Sequence, residues 1–252
     1  MKEKKKHKRY GLLGKDIGYS FSRGYFTEKF EELNIKNSEY LNFDIPTIEN
    51  FEVLIEANKP QLQGMNVTIP YKEAVIPYLD IIDKTARKIG AVNTIKFTKR
   101  GLLKGYNTDV FGFENSLKPL LKEHHTHALI LGTGGASKAI SFSLKQLGIK
   151  YKFVSRTPKR KKEIAYNDLT EHVLTKYTVI INSSPVGTFP AVDLKPQIPY
   201  QFITDKHLLY DLIYNPALTG FLKEGKEKGA QIKNGSQMLA LQAEESWRIW
   251  NH

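Results

Sequence analysis

Residues 127–157 read HALILGTGGASKAISFSLKQLGIKYKFVSRT, and the rest of the chain is interpreted from this stretch outward. Ala128–Leu131 is a short apolar run without helical spacing, which predicts a strand buried on both faces. Gly132-Thr133-Gly134-Gly135-Ala136-Ser137 then turns into a helix whose apolar positions include Ala139, Ile140, Phe142, Leu144 and Leu147. Gly148 closes that helix where a residue tolerating positive φ is wanted. Tyr151–Ser155 supplies a second strand. Strand, glycine turn, helix and strand within roughly 30 residues have the size of one βαβ unit. Its glycines let backbone N–H groups approach a pyrophosphate, and the helix N-terminus adds partial positive charge for the same anion. A dinucleotide or related phosphate-bearing ligand is the expectation.

The end of the second strand selects among such ligands. An NAD site places Asp or Glu there to accept from the ribose 2′-hydroxyl. This chain has Ser155-Arg156-Thr157-Pro158-Lys159-Arg160, with no acid before Glu163. A carboxylate would repel a 2′-phosphate, whereas guanidinium and hydroxyl groups hold it. NADP is therefore expected, with Ser155, Arg156, Thr157 and Arg160 around the phosphate. The missing acid also argues against an S-adenosylmethionine methyltransferase.

Composition limits the function classes. A chain of 252 residues buries one sizeable core or two modest ones. No apolar run approaches the ~20 residues of a membrane helix, and no secretory h-region follows the start. The absence of cysteine excludes disulfides and thiolate-held metals and fits a cytoplasmic enzyme without a metal. The net charge of +12 raises the question of nucleic acid, but residues 1–9 (MKEKKKHKR) hold six Lys or Arg against one Glu. Five of the twelve net charges thus sit in what reads as a disordered basic tail, and nucleic acid is not the expected partner.

The remaining segments read as α/β throughout. Strands are expected at Tyr10–Gly14, Tyr40–Ile45 and Gly64–Pro70, and Val92–Phe97 and Leu102–Tyr106 pair as a hairpin. A helix at Val110–Leu121 leads to the βαβ unit. Strands follow at Thr178–Asn182 and Leu208–Leu212, each ending in a loop at the carboxyl edge, where open α/β sheets bind ligands. Leu218–Gly229 reads as a helix, Gln231–Lys233 as a last strand and Ser236–Trp250 as a terminal helix.

The motifs GMNVTIPYK (64–72), GAVNT (90–94), GYNTD (105–109), GTGGAS (132–137), SRT (155–157), NSSPVG (182–187), DLIYNP (211–216) and Asn234-Gly235…Met238-Leu239…Gln242-Ala243 occur in that order. Together they resemble the shikimate dehydrogenase family over the chain from about residue 10 to its end. The resemblance implies an α/β enzyme with an N-terminal substrate domain (10–110 plus 235–252). A Rossmann-type, doubly wound NADP domain (111–234) completes it, with the active site in the cleft between the two. It implies NADPH-dependent, reversible reduction of 3-dehydroshikimate to shikimate, a step of aromatic amino-acid biosynthesis; the choice between monomer and homodimer stays open.

Residue by residue, the resemblance sets Lys72 and Asp109 on the substrate hydroxyl at the carbon that is oxidised. A lysine ammonium polarises a carbonyl and donates a proton, and an adjacent carboxylate orients it. Taken alone, Lys72 is one more surface lysine and Asp109 a helix cap. The resemblance further assigns Ser20 and Ser22 to the substrate carboxylate. Asn66, Thr68, Asn93, Tyr214 and Gln242 go to the rest of the ring, and Gly132, Gly134, Gly135, Ala136, Ile213 and Gly235 to the cofactor. The first loop departs from the usual His-Ser-x-Ser-Pro: here it is Tyr19-Ser20-Phe21-Ser22-Arg23. Two rival readings are a quinate/shikimate dehydrogenase tolerating NAD and a metabolite- or NADP-binding paralogue without turnover.

Overall fold

The computed structural model describes residues 7–18 and 20–252. They fall into two compact units, one of residues up to Thr108 together with Ala243–His252, the other Asp109–Gln242.

The first unit runs β1 (Lys8–Gly14), α1 (Phe21–Glu32), β2 (Ser38–Asp44), α2 (Phe51–Asn58), β3 (Leu62–Val67), α3 (Tyr71–Ala74), β4 (Ile81–Ile82), α4 (Lys84–Ile89), β5 (Thr94–Phe97) and β6 (Leu103–Tyr106). These strands form one mixed sheet in the order β2-β1-β3-β5-β6-β4. Parallel pairing of β1 with both β2 and β3 gives way to antiparallel pairing through β5 and β6. Alternation along β1 fills both faces: Leu13 joins Phe43, Phe51, Met65 and Ile95 in one core, while Tyr10 and Leu12 join Phe26, Phe30 and Trp250 in the other. Gly64 has a packing reason to be glycine, because a Cβ there would lie 2.3 Å from the Trp250 ring. Without that Cβ the indole lies against β3 and donates its N–H to the Ile95 carbonyl at 3.0 Å.

The second unit runs α5 (Asp109–Leu117), β7 (His127–Leu131), α6 (Gly135–Gln146), β8 (Lys150–Ser155), β9 (Glu163–Ala165), α7 (Glu171–Lys176), β10 (Val179–Asn182), β11 (Leu208–Asp211), α8 (Gly220–Glu227), β12 (Gln231–Lys233) and the start of α9 (Ser236–Asn251). Its sheet is parallel at every pairing, in the order β12-β11-β10-β7-β8-β9. Counted from β7, that is the doubly wound order 3-2-1-4-5-6, which reverses direction between β7 and β10. Ala128, Leu129, Ile130, Leu131, Ile180 and Ile181 are fully buried, as a parallel sheet covered on both faces requires. Gly148 has φ +73°, as its place after α6 predicts.

Several boundaries differ from the sequence reading. Lys8 and Arg9 belong to β1, and Arg9 is held by Glu39 at 2.8 Å and Asn58 at 2.9 Å, so the expected tail cannot extend to residue 9. Residues 1–6 of that tail, and Tyr19 of the altered loop, lie outside the described residues. The two-residue β4 and three-residue β9 lack enough alternation to be seen in sequence. The units divide at 108/109 and 242/243, against the expected 110/111 and 234/235, so the first half of α9 belongs to the second unit. The other half of α9 supplies Ala243, Trp247, Ile249 and Trp250 to the core of the first. No helix among the described residues is long and apolar enough to cross a membrane.

Candidate active site

In the first unit the substrate-side residues gather at the carboxyl ends of β1 and β3 and the start of β5. Ser20 is the N-cap of α1, a position favoured for serine because the hydroxyl accepts from the first turn. Its Oγ makes no such bond; it is buried and has no hydrogen-bond partner among the described residues. A buried polar atom of this kind is costly unless something else satisfies it. Ser22, two residues on in the first turn of α1, is hydrogen-bonded to the Tyr40 phenol.

A buried polar network continues from there. The Tyr40 hydroxyl donates to Asn66 Oδ1 at 2.8 Å, and Asn66 Nδ2 donates to Ser246 Oγ at 2.9 Å. Thr94 Oγ1 lies 2.8 Å from Ser246 Oγ and 3.2 Å from Thr108 Oγ1. Asn93 Oδ1 accepts from the Thr108 backbone N–H at 2.7 Å. Asn66 and Asn93 are thus fixed by their neighbours on several sides. Burial pushes the Tyr40 phenol far above its ordinary range, so it stays a neutral donor. Tyr40, Thr94, Thr108 and Ser246 were not singled out from sequence. Thr94 and Thr108 sit within quoted motifs, whereas a lone serine on a helix carries no signal.

Thr68 follows β3 and is half-buried, its N–H bonded to the Leu13 carbonyl at 2.9 Å. Lys72 is the second residue of the short α3, half-buried, and its carbonyl accepts from Val92 at 2.7 Å, which ties α3 to the GAVNT segment. Next to it, Tyr71 anchors the same turn through a 2.7 Å bond to the Ile45 carbonyl. The Asp44 carboxylate accepts from Asp16 and Ile17 backbone N–H groups at 3.0 and 3.1 Å and so shapes the loop before Ser20.

The second unit holds the remaining calls. Asp109 is the first helical residue of α5 and only 7% exposed, so it is not a solvated cap. Gln242 is buried, and Gly112 admits it closely, since a Cβ there would stand 2.5 Å from the Met238 carbonyl and 3.1 Å from Gln242 Cβ.

At the carboxyl edge of β7, β8 and β10 lies a cavity of about 960 Å³. Gly132, Gly134, Ser155, Arg156, Thr157 and Arg160 line it, as the sequence reading requires. Gly132 has φ +107°, a conformation side chains avoid. Gly134 and Gly135 have open space where a Cβ would be, so packing does not explain them, whereas close approach of a ligand does. Gly134 is also the N-cap of the twelve-residue α6 and offers no side-chain oxygen, leaving its first N–H groups for an anion. These features fit a dinucleotide pyrophosphate.

Gly135 and Ala136 form the first turn of α6 and do not line this cavity, nor do Ile213, Tyr214 and Gly235 beyond β11. The Ile213 N–H donates to Asp211, and its carbonyl accepts from Gly235. A Cβ on Gly235 would meet the Leu212 carbonyl at 2.0 Å, so close backbone approach already demands glycine there.

Two further features meet at the cavity, a carboxyl-edge loop expected to lie at the ligand and one acid not assigned to it from sequence. The Ser183–Val186 loop after β10 forms an opposite wall. Glu163 also lines the cavity, brought there by β9; it lies 3.7 Å from Arg160 and accepts from the Lys159 N–H at 2.7 Å.

Residues 12–95 match the family description "Shikimate dehydrogenase substrate binding domain". Shikimate dehydrogenase (NADP(+)) of Methanosphaera stadtmanae is 36% identical over 257 residues, spanning 95% of this chain and 90% of that protein. The chain belongs to the shikimate dehydrogenase family. Shikimate dehydrogenase from Aquifex aeolicus superposes with a TM-score of 0.85 at 36% identity, covering 97% of this chain and 92% of that one. A Thermus thermophilus shikimate 5-dehydrogenase solved with NADP(H) and shikimate gives 0.85 at 30% identity, covering 96% and 93%.

Proposed function

We propose that this protein is an NADP-dependent oxidoreductase that interconverts 3-dehydroshikimate and shikimate. The observation that carries the reading is kinship over nearly the whole chain with proteins named for that reaction. The cavity supports the cofactor, with Arg156, Thr157 and Arg160 where a 2′-phosphate requires cationic and hydroxyl donors. The unsatisfied Ser20 hydroxyl supports a carboxylate-bearing substrate, because it can donate to an anionic oxygen.

Bound NADPH supplies the hydride. On the protein side, Lys72 as the ammonium polarises the substrate carbonyl and gives its proton to the alkoxide as it forms, the resulting amine regaining a proton from solvent, and Asp109 is the carboxylate assigned to the same substrate hydroxyl. Ser20 and Ser22 hold the carboxylate, Thr68, Asn93, Tyr214 and Gln242 engage the ring, and Asn66 holds the network behind them. In the oxidative direction Lys72 accepts the hydroxyl proton.

A second reading, tolerance of NAD, is favoured by the Glu163 carboxylate at the cavity, which is the kind of acceptor a free 2′-hydroxyl uses. The test is reduction of NADP+ with shikimate and with quinate, the product identified chromatographically. One 3-dehydroshikimate per NADPH is expected; turnover of quinate alone, or of neither, rejects the substrate.

A further inference from the structure

At the amino ends of β1 and β3, away from the residues above, the first unit has a second concavity of about 760 Å³. Lys8, Lys96, Lys99, Lys104 and Arg248 line it, and no Asp or Glu side chain does. Lys96 and Lys104 are directly opposite each other in the antiparallel β5–β6 pair, so their side chains leave the same face of the sheet. Like charges so placed destabilise a sheet. The Lys104 ammonium stands 5.1 Å from the centre of the Tyr106 ring, whose face attracts it.

Part of this charge has a local explanation. Arg248 is paired with Glu245 at 2.6 Å, and the cavity includes the last turn of α9, whose carbonyls attract cations. A helix C-terminus is worth about half an elementary charge, which leaves most of four lysines uncompensated. The β5–β6 hairpin carries three of them, Lys96, Lys99 and Lys104: Thr98 caps its turn by accepting from the Leu102 N–H at 2.9 Å, and Gly101 takes φ +80°. Of the aromatic residues lining it, Tyr10 and Trp250 are 1% and 7% exposed and form its floor, while Phe97 and Tyr106 are half-buried on the hairpin. A concave, lysine-lined site without Asp or Glu side chains and with a buried aromatic floor suits a compact anion.

We propose that this concavity is a binding site for a small polyphosphate, either free or as the phosphate chain of a nucleotide. The site is independent of the catalytic reading, and its test uses the full chain with NADP+ present at saturation, so that the cofactor cavity does not contribute. Calorimetric titration with pyrophosphate, tripolyphosphate and ATP should show one site per chain. Binding of the free polyphosphates as tightly as ATP identifies the phosphates as the ligand, and preference for ATP adds a nucleoside contact. Lys96→Gln/Lys104→Gln should weaken binding roughly tenfold or more, from two lost charge-assisted contacts. The same variant should melt no lower than wild type without ligand, since the opposed charges are gone, and tripolyphosphate should stabilise wild type only. Equal binding by wild type and variant overturns the proposal. Absence of polyphosphate binding at 150 mM-class ionic strength does so too, as does binding of single-stranded RNA alone.

Discussion

Each unit pins its ligand-side loops with a buried asparagine, and the two asparagines are held differently. Asn182, at the end of β10, accepts from Ser184 two residues on and donates to Val186 and to Asp211. Asn66, in β3, is held by Tyr40, Thr94 and Ser246, the last of these 180 positions away. Two of the three partners of Asn182 lie within four residues of it and the third, Asp211, is an acid 29 residues on, whereas every partner of Asn66 is 26 or more residues away and neutral. Local networks leave motifs in a sequence, and long-range ones leave scattered residues that look ordinary. The acid also makes only one of the two networks sensitive to pH.

The largest effect separates chemistry from cofactor binding. Lys72→Ala and Asp109→Ala should each lower kcat by about 10²–10⁴, the usual cost of losing a positioned acid–base group, with NADP+ affinity unchanged by calorimetry. The double variant should be little worse than the worse single one if the two act on the same proton. Additive losses would separate their roles, and near-normal kcat in Lys72→Ala would make Lys72 a surface lysine.

A smaller effect isolates the phosphate end of the cavity. Arg156→Ala/Arg160→Ala should reduce the preference for NADP+ over NAD+ by roughly tenfold or more, at about 1.5–3 kcal/mol for each bond to a charged group. Equal losses with both cofactors would place these guanidinium groups away from the 2′-phosphate.

The networks themselves give the next two tests. Burial raises the Asp211 carboxyl from 3.8 to about 6, against bonds from Thr219, Ile213 and Asn182 that lower it. The folded protein therefore keeps a proton that the unfolded chain has released across that interval. Stability from this group is complete below about 4 and is lost as pH rises to about 6. Urea midpoints of wild type and Asp211→Asn should diverge over that window by on the order of 2 kcal/mol. Parallel curves would remove Asp211 as the source. Tyr40→Phe leaves Asn66 Oδ1 without its donor and should cost about 1 kcal/mol with no such pH window. It should also raise the shikimate KM, with NADP+ binding unmoved; a change confined to NADP+ would contradict the assignment of this network to the substrate side.

This contrast also explains what the sequence made legible. The βαβ unit was readable because strand, glycine turn and helix follow one another within one segment, and the basic SRTPKR run falls at the end of β8. The β5–β6 hairpin was readable from its turn. Glu163 was read only as the first acid after Ser155, but the three-residue β9 returns it to the cavity, and a strand that short has no periodicity to detect. Ser246 and Tyr40 acquire their roles only once the last part of α9 and β2, which lies across β1 from β3, are brought to Asn66 by the core around Trp250 and Phe26. Ser20 was named from the resemblance; its lack of a capping bond is visible only in three dimensions.

The most direct test of the functional account is the rate at which wild-type protein consumes NADPH, and separately NADH, with 3-dehydroshikimate. The account predicts turnover with NADPH and a kcat/KM for NADH lower by roughly tenfold or more, the discrimination expected from losing charge-assisted contacts to one phosphate. Consumption of neither cofactor, or equal use of both, would contradict it.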